Sequence, residues 1–204
     1  MTLLLIRHGE TALNVARVLQ PADTPLNERG VAQAEALAKR LAALGVTAIL
    51  SSDLPRALAT AQAIADATGA PIETSALLHE RNFGDLRGRP WASLPVDPLT
   101  MTGAPPNGES VEAFEARVGF AFAHLLRRHT ALGGTLAVVT HGLVIRALLG
   151  RHMSLPGDAA ALAHLGNTSL SIVEAQPPHR VSLLDCTRHL DTQAADDPAA
   201  LSGG

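Results

Sequence analysis

The amino-acid sequence predicts a three-layer α/β/α fold around a mostly parallel central sheet. Short apolar segments that suit strands alternate along the chain with longer amphipathic segments that suit helices. Residues 2–7 are predicted to form a continuous apolar strand of the kind that is buried on both faces of a parallel sheet. Apolar residues make up 47% of the chain and aromatic residues only 2%, so we expect a core packed from aliphatic side chains.

The first predicted helix spans residues 28–44. Its apolar side chains recur every three or four residues, which places them on one face of a helix. Asn27 can cap the start of this helix and Gly45 can end it. The apolar face comprises Val31, Ala34, Leu37, Ala38, Leu41 and Leu44.

The remaining elements continue the alternation of strands and helices. Gly69 can close the second long helix, and Ser110 can cap the third. The two last strands are close enough in sequence to suggest a hairpin at the edge of the sheet. In chain order, the sequence predicts strand 46–50, helix 54–68, strand 71–74, helix 111–131, strand 135–139, helix 143–149, and strands 169–174 and 180–184.

The segment of residues 84–108 breaks this alternation. It contains four glycines and five prolines and shows no periodicity, which favours a functional loop or a lid. We expect a single domain over residues 1–189 that includes this segment. Residues 190–204 are polar and small, so we expect them to be a disordered tail.

Composition narrows the class of protein. The net charge is −3 without long runs of one sign, which argues against nucleic acid as a partner. Apolar runs fall short of the roughly 18 residues that a membrane span needs, so no membrane partner is expected. The single cysteine, Cys186, cannot form an intrachain disulfide, which favours a soluble cytoplasmic protein. Periodicity does not fix the oligomeric state, and a homodimer stays open.

Polar residues crowd the points where two predicted strands end. Residues 7–11 read Arg-His-Gly-Glu-Thr, with Asn14 shortly after them, and residues 140–142 read Thr-His-Gly. Sites in parallel sheets form beyond the carboxyl ends of the strands. In both places helix-compatible sequence follows, so N–H groups at helix starts can face the same crevice. These features together predict that the polar residues of both segments face one crevice.

Four segments, in this order, resemble the histidine phosphatase superfamily, which is also called the phosphoglycerate mutase-like family. The resemblance extends from Leu3 to about Leu170. The four segments are Arg7–Thr11, Ser51–Ala57, Leu78–Gly84 and Thr140–Gly142, and smaller matches are Pro25–Gly30, Asn107–Ser110 and Asn167–Ser169.

The resemblance implies a catalytic role for five residues. His8 would attack phosphorus and split the reaction into two easier steps. Arg7 and Arg56 would offer two-pronged guanidinium groups to the phosphate oxygens, and His141 would add a third positive group when substrate is bound. Glu80 would give a proton to the leaving oxygen. A backbone carbonyl near Gly9 would hold the proton on the other ring nitrogen of His8.

Four further residues are predicted to contact the substrate, a small phosphorylated metabolite. Asn14 can donate a neutral hydrogen bond, and Gly142 leaves room for a backbone N–H to approach the phosphate. Thr11 and Gln20 are weaker candidates for the pocket wall. The arginines and histidines already cover the phosphate, so the resemblance implies no metal and no cofactor.

The sequence leaves the substrate open because it departs from the family pattern around the pocket rim. The family often has Trp at Leu13, Gly at Pro21, and Trp-Glu-Gly where residues 86–88 read Leu-Arg-Gly. Arg81, Arg87 and Arg89 flank the lid, where they either attract an acidic substrate or form a solvated face.

Three functions are compatible with these residues. A phosphatase that hydrolyses a small phosphate monoester fits best, because residues 84–107 are shorter than the lid of family members that act as mutases. A mutase stays open because Glu80-Arg81-Asn82-Phe83-Gly84 resembles the mutase pattern E-R-x-[YF]-G. A non-catalytic protein that binds a phosphorylated ligand is the third option. A metallohydrolase fits poorly, since no metal-ligand spacing occurs.

Overall fold

The computed structural model describes residues 2–94, 96–98, 100–156 and 164–190. The predicted tail therefore lies outside the described residues from residue 191 onward, and the predicted lid is described except at positions 95 and 99. In the part of the chain described, no helix has both the length and the apolar character that crossing a membrane requires.

Among the residues that the structure describes, six strands form one sheet, in the order β3-β2-β4-β1-β5-β6. Neighbours among β1 to β4 pair in parallel, whereas β5 runs antiparallel to β1 and to β6. The strands are β1 (Thr2–Arg7), β2 (Val46–Ser51), β3 (Ile72–Thr74), β4 (Thr135–Thr140), β5 (Leu170–Glu174) and β6 (Val181–Cys186). The predicted mostly parallel α/β fold, with a hairpin at one edge, is confirmed.

Within the described ranges, five α-helices surround the sheet. They are α1 (Ala12–Val15), α2 (Glu28–Leu41), α3 (Pro55–Thr68), α4 (Val111–Leu132) and α5 (Gly142–His152). The caps predicted at Asn27 and Ser110 are present, because each side chain accepts a hydrogen bond from a backbone N–H of the first turn. Gly69 closes α3 in the left-handed conformation, as predicted.

The alternation of side chains along β1 divides the core into two layers. Leu3 and Leu5 pack on the face that α4 and α5 cover, whereas Leu4 and Ile6 pack on the face that α2 and α3 cover. All four side chains are at most 1% exposed. The strand is therefore buried on both faces, which explains its continuous apolar sequence.

The predicted helix 28–44 ends at Gly45 as expected, but its last turn is of a different helix type, and two side chains of the predicted apolar face are exposed. Helix α2 stops at Leu41, a 3₁₀ turn (Ala42–Leu44) follows, and Gly45 adopts φ +62°. The tighter turn moves Leu44 off the apolar face, and its side chain is 38% exposed. Val31 is 47% exposed because it borders a shallow groove between α2 and α3 rather than the sheet.

Two helices near the site differ from their predicted bounds. Helix α5 extends over Gly142–His152 rather than 143–149. The apolar pattern that predicted this helix does not include its first residue and its last three residues. The four-residue helix α1 was not predicted, because its length is too short to show periodicity. The other strand and helix ends lie within two residues of their predicted positions.

At its described positions, which exclude 95 and 99, the segment 84–108 is irregular, as predicted, apart from 3₁₀ turns at Gly84–Leu86 and Trp91–Ser93. Its two ends meet closely. Gly84 has φ +52°, and a Cβ there would lie 2.0 Å from the Pro106 carbonyl oxygen and 2.5 Å from the Gly108 nitrogen. Because both neighbours are backbone atoms, only glycine fits at the base of this segment.

Candidate active site

The register of β1 and β4 brings the two predicted histidines together. Arg7 pairs with Thr140 across the two strands, and the His8 N–H donates to the Thr140 carbonyl at 3.0 Å. The His8 and His141 rings follow directly and lie 5.1 Å apart between centroids. Both histidines therefore share one crevice at the carboxyl edge of the sheet, as the sequence predicted.

The first loop after β1 packs too tightly for any side chain at Gly9. A Cβ at Gly9 would lie 2.5 Å from the Gly30 carbonyl oxygen at the start of α2. The Gly9 N–H donates to Thr60 Oγ1 at 3.0 Å, and Asn167 Nδ2 donates to the His8 carbonyl at 2.9 Å. These contacts fix the backbone that carries His8.

The tautomer of His8 follows from its hydrogen bond. His8 Nδ1 lies 2.7 Å from the Gly9 carbonyl oxygen, which can only accept, so Nδ1 carries the proton. The carbonyl that the sequence predicted is thereby confirmed. Nε2 is buried and has no hydrogen-bond partner among the described residues. An unprotonated ring nitrogen with a free lone pair therefore faces the site.

Burial and neighbouring cations keep His8 neutral. Burial contributes most to lowering the pKa of His8 well below its ordinary value, and the charges of Arg56 and Arg7 lower it further. The hydrogen bond to Gly9 acts in the opposite direction and is the weaker influence. At neutral pH the imidazole is therefore available as a nucleophile.

Arg7 and Arg56 are each 1% exposed, and backbone carbonyls orient both side chains. Arg7 Nη1 donates to the Leu165 carbonyl at 2.5 Å, while Arg56 Nη1 donates to the carbonyls of Pro21 and Ala22 at 3.3 and 3.4 Å. Burial lowers the pKa of Arg56 to about 10, so the guanidinium stays charged at neutral pH. Two oriented cations beside a neutral imidazole suit a phosphate dianion.

His141 caps the start of α5 and is fully buried. Its Nε2 lies 2.9 Å from Ser52 Oγ, a contact that the sequence analysis did not predict. Burial, followed by the charge of Arg56, lowers the pKa of His141 well below its ordinary value. The free site therefore holds a neutral His141, and only the charge of a bound phosphate would favour its cationic form.

Glu80 is 6% exposed, and two backbone groups hold its carboxyl group. Oε1 accepts from the Arg81 N–H at 2.9 Å, and Oε2 accepts from the Leu143 N–H at 3.1 Å in the first turn of α5. Burial is the largest influence and raises the pKa of Glu80, although both hydrogen bonds and the charges of Arg56 and Arg7 act against it. A raised pKa favours the protonated form that a proton donor needs.

Thr11, Asn14 and Gln20 form one buried network at α1. Thr11 Oγ1 caps α1 by accepting from the Asn14 N–H at 3.0 Å, and it contacts Gln20 Oε1 at 2.9 Å. Asn14 Oδ1 accepts from the Thr11 N–H at 3.1 Å. The Nδ2 of Asn14 and the Nε2 of Gln20 have no partner among the described residues, so both amides keep a free donor. Gly142 opens α5 beside His141.

A partly buried ion pair that the sequence analysis did not single out holds the loop of Glu80. Arg117 binds Glu109 with two parallel hydrogen bonds of 2.9 and 2.8 Å. Arg117 Nη1 also donates to the carbonyls of Leu77 and His79 at 2.9 and 2.8 Å. Glu109 lies in the segment Asn107–Ser110, whose resemblance to the family could have indicated a role for it. Arg117 had no signal because its partners are distant in sequence.

Among the described residues, no group of three or more His, Cys, Asp or Glu side chains is placed to hold a metal ion. The candidate site instead combines a neutral nucleophile, two buried cations, a carboxyl group with a raised pKa and unpaired amide donors. This set can bind a phosphate group, attack its phosphorus and protonate an oxygen that leaves.

Comparison with known proteins gives the family. A model of the histidine phosphatase superfamily (branch 1) matches residues 3–185. The chain belongs to this superfamily. Membership confirms the resemblance that the sequence motifs indicated.

Individual proteins match this chain over most of their length. The chain is 36% identical over 209 residues to a protein of Yersinia pestis (strain Pestoides F) named "probable phosphoglycerate mutase GpmB", with 95% of this chain and 96% of that protein covered. The structure of a mycobacterial glucosyl-3-phosphoglycerate phosphatase is 33% identical with a TM-score of 0.74, covering 85% of this chain and 90% of the other. The α-ribazole phosphatase of Shigella flexneri is 28% identical with a TM-score of 0.79, covering 92% and 97%.

Proposed function

We propose that this histidine phosphatase hydrolyses a small phosphate monoester, without a metal, through a phosphohistidine on His8. The observation that carries the proposal is the state of His8. Its Nδ1 proton is held by the Gly9 carbonyl, and its Nε2 lone pair is buried and unpaired beside two arginines. In a bound phosphate monoester, phosphorus is the electrophile that this lone pair would attack.

The first step forms a bond between His8 Nε2 and phosphorus while the bond from phosphorus to the ester oxygen breaks. Arg7, Arg56 and His141 stabilise the charge on the phosphoryl oxygens. Glu80 transfers its proton to the leaving oxygen. In the second step water attacks phosphorus, Glu80 takes a proton from that water, and phosphate leaves as the bond to Nε2 breaks. His8 returns to its starting tautomer.

Phosphate release from a panel of small monoesters, with and without EDTA, tests this proposal beside His8→Ala. We expect release that survives EDTA and falls about 10⁴-fold or more in the variant. Acid-labile labelling of the wild-type protein by ³²P-substrate, absent from His8→Ala, is expected as well. Release that EDTA abolishes, or release that His8→Ala retains, would contradict the proposal.

A phosphoglycerate mutase is the second candidate, because the relative of Yersinia pestis is named as one and residues 80–84 resemble the mutase pattern. In a mutase the phosphoryl group returns from His8 to a second hydroxyl rather than to water. Conversion of 3-phosphoglycerate to 2-phosphoglycerate at a rate comparable with phosphate release would favour this candidate. Phosphate binding without labelling of His8 would instead favour a non-catalytic binding protein.

The proposal also covers the ligand of the protein and its location in the cell. The ligand is a small phosphorylated metabolite rather than a nucleic acid, since the net charge is −3 without a basic run. The single cysteine supports action in the cytoplasm.

A further inference from the structure

A cavity of about 520 Å³ adjoins Glu80 on the side of segment 84–108. Its size suits a small ligand. In the proposed reaction Glu80 protonates the leaving oxygen, so the alcohol part of the substrate occupies the space beside Glu80. The inference below therefore rests on the proposed function. The residues that line this leaving-group cavity include Leu54, His79, Glu80, Asn82, Arg87 and Gly108.

Most charged groups of the leaving-group cavity already have partners of opposite charge or polar partners. Glu109 and Arg117 bind each other with two hydrogen bonds, and His79 Nε2 donates to Asp53. Arg87 differs from them. It is half-buried and forms no side-chain hydrogen bond or ion pair with any described residue.

The three arginines around the segment have different surroundings. Arg81 is 4% exposed and donates to the carbonyls of Pro98, Gly103 and Glu109, so its guanidinium is a structural support. Arg89 is exposed and does not line the cavity. Of the three, Arg87 alone presents an unpaired guanidinium to the cavity.

The position of Arg87 suits a ligand that reaches from the phosphate site. The charge of Arg87 is one of the influences that lower the pKa of Arg56, so the two cations lie within electrostatic reach of each other. An unpaired cation that is partly desolvated beside another cation favours an anion. A single ligand with two anionic groups could contact both arginines.

We propose that Arg87 binds a second anionic group, a carboxylate or a second phosphate, on the alcohol part of the substrate. The protein then prefers phosphate monoesters that carry such a group. The guanidinium of Arg87 would bind a carboxylate or phosphate through two parallel hydrogen bonds. Hydrogen bonds of this kind to charged groups correspond to about 10- to 100-fold in affinity.

Two matched pairs of substrates test this inference by turnover. 3-Phosphoglycerate and glycerol 3-phosphate differ only in a carboxylate against a hydroxymethyl group, and fructose 1,6-bisphosphate and fructose 6-phosphate differ in a second phosphate. We expect kcat/KM to favour the doubly anionic member of at least one pair, and which pair shows the preference identifies the anion. Arg87→Gln should reduce that preference about 10- to 100-fold.

Arg89→Gln is the matched control, because it removes the same charge from the same segment outside the cavity. We expect it to leave the preference within about twofold of wild type. Arg87→Lys keeps the charge without the two-pronged geometry and should restore part of the preference. An equal loss in the Arg87 and Arg89 variants would indicate only general electrostatic attraction and would overturn the proposal, as would a wild type without preference in either pair.

Affinities in a His8→Ala background separate this inference from the proposed function. In that variant, calorimetry measures binding of 3-phosphoglycerate and glycerol 3-phosphate without turnover, after its melting temperature has shown that it is folded. If adding Arg87→Gln to this variant lowers the affinity for 3-phosphoglycerate alone, Arg87 binds the second anion even when no phosphatase activity exists. Equal affinities for both ligands, and for the bisphosphate pair, would refute the role of Arg87 while leaving the phosphatase untouched.

Discussion

The phosphate site and the leaving-group cavity lie next to each other but differ in how the chain holds them. His8, Arg7 and Arg56 are at most 1% exposed and are fixed by backbone groups of the sheet and its first loops. Arg87 is half-buried on an irregular segment and has no partner among the described residues. The contrast suggests that the chemistry depends on the register of the sheet, whereas substrate choice depends on a segment free to vary.

Among the substitutions that compare the two regions, Glu80→Gln should give the largest effect on the rate of phosphate release. The Glu80 side chain belongs both to the phosphate site and to the leaving-group cavity. We expect phosphate release from an alkyl monoester to fall about 10²- to 10⁴-fold, since an alkoxide needs a proton to leave. The loss should be much smaller for p-nitrophenyl phosphate, because p-nitrophenolate leaves without a proton. Steady-state rates on both substrates measure this difference.

Glu174→Gln serves as the control for that substitution, since Glu174 is an exposed carboxylate at the end of β5. It should leave both rates unchanged. An equal loss on both substrates in Glu80→Gln would mean that Glu80 supports the structure of the site and does not act as the proton donor.

The dependence of rate on pH is the second test. In the proposed mechanism, turnover requires neutral His8 and protonated Glu80. The pKa of His8 is lowered, so the rate should hold as pH falls through 6.5 and decline only below the lowered pKa. The pKa of Glu80 is raised, so its proton persists to higher pH than in an exposed glutamate, and the rate should decline above that raised pKa.

A profile of kcat/KM against pH for an alkyl monoester measures both limbs. The decline at high pH should vanish in Glu80→Gln, whereas the decline at low pH should stay. A high-pH decline that persists in the variant would assign that limb to another group.

A third and smaller effect concerns the link between the two regions. Arg117 holds the loop of Glu80 through carbonyls and Glu109 without reaching the phosphate site. Arg117→Ala should lower kcat about 10- to 100-fold on an alkyl monoester, because a displacement of about 1 Å misplaces the proton donor. The loss on p-nitrophenyl phosphate should be smaller, which a purely structural role would not produce.

Arg128→Ala is the matched control on the same helix. Arg128 pairs with Glu73 where both side chains are more than 40% exposed, and exposed pairs contribute little. We expect its rate and its melting temperature to stay near those of the wild type. If Arg117→Ala lowers the rates on both substrates equally, the positioning role of Arg117 is wrong.

The same contrast explains what the sequence could predict. The apolar pattern predicted that the motifs after β1 and β4 follow the carboxyl ends of parallel strands, where sites form. It did not give the strand order that places Arg7 beside Thr140. Arg117 and Ser52 were not predicted as contacts, because their partners lie far away in sequence and depend on how loops fold back. The prediction for Val31 was wrong, because a helical period shows which residues share a face of the helix but not how much of that face a neighbouring helix covers.

The smallest expected effect compares a glycine of the phosphate site with a glycine of segment 84–108. At Gly9 an added Cβ would lie 2.5 Å from the Gly30 carbonyl oxygen, whereas at Gly103 nothing lies within 4 Å of it. Gly9→Ala should therefore destabilise the protein by about 1–3 kcal/mol, as overpacking does. Gly103→Ala should stay within about 0.5 kcal/mol of wild type.

Urea unfolding of the two variants measures this difference. Gly9→Ala should also lower the rate of phosphate release. Relief of the clash must shift the backbone next to His8. The Gly9 carbonyl, which accepts the hydrogen bond from His8 Nδ1, would then move as well. Gly103→Ala should change neither rate nor preference among substrates. Equal stabilities would show that the first loop can relax around a methyl group, and the phosphate site would then be less rigidly held than its burial implies.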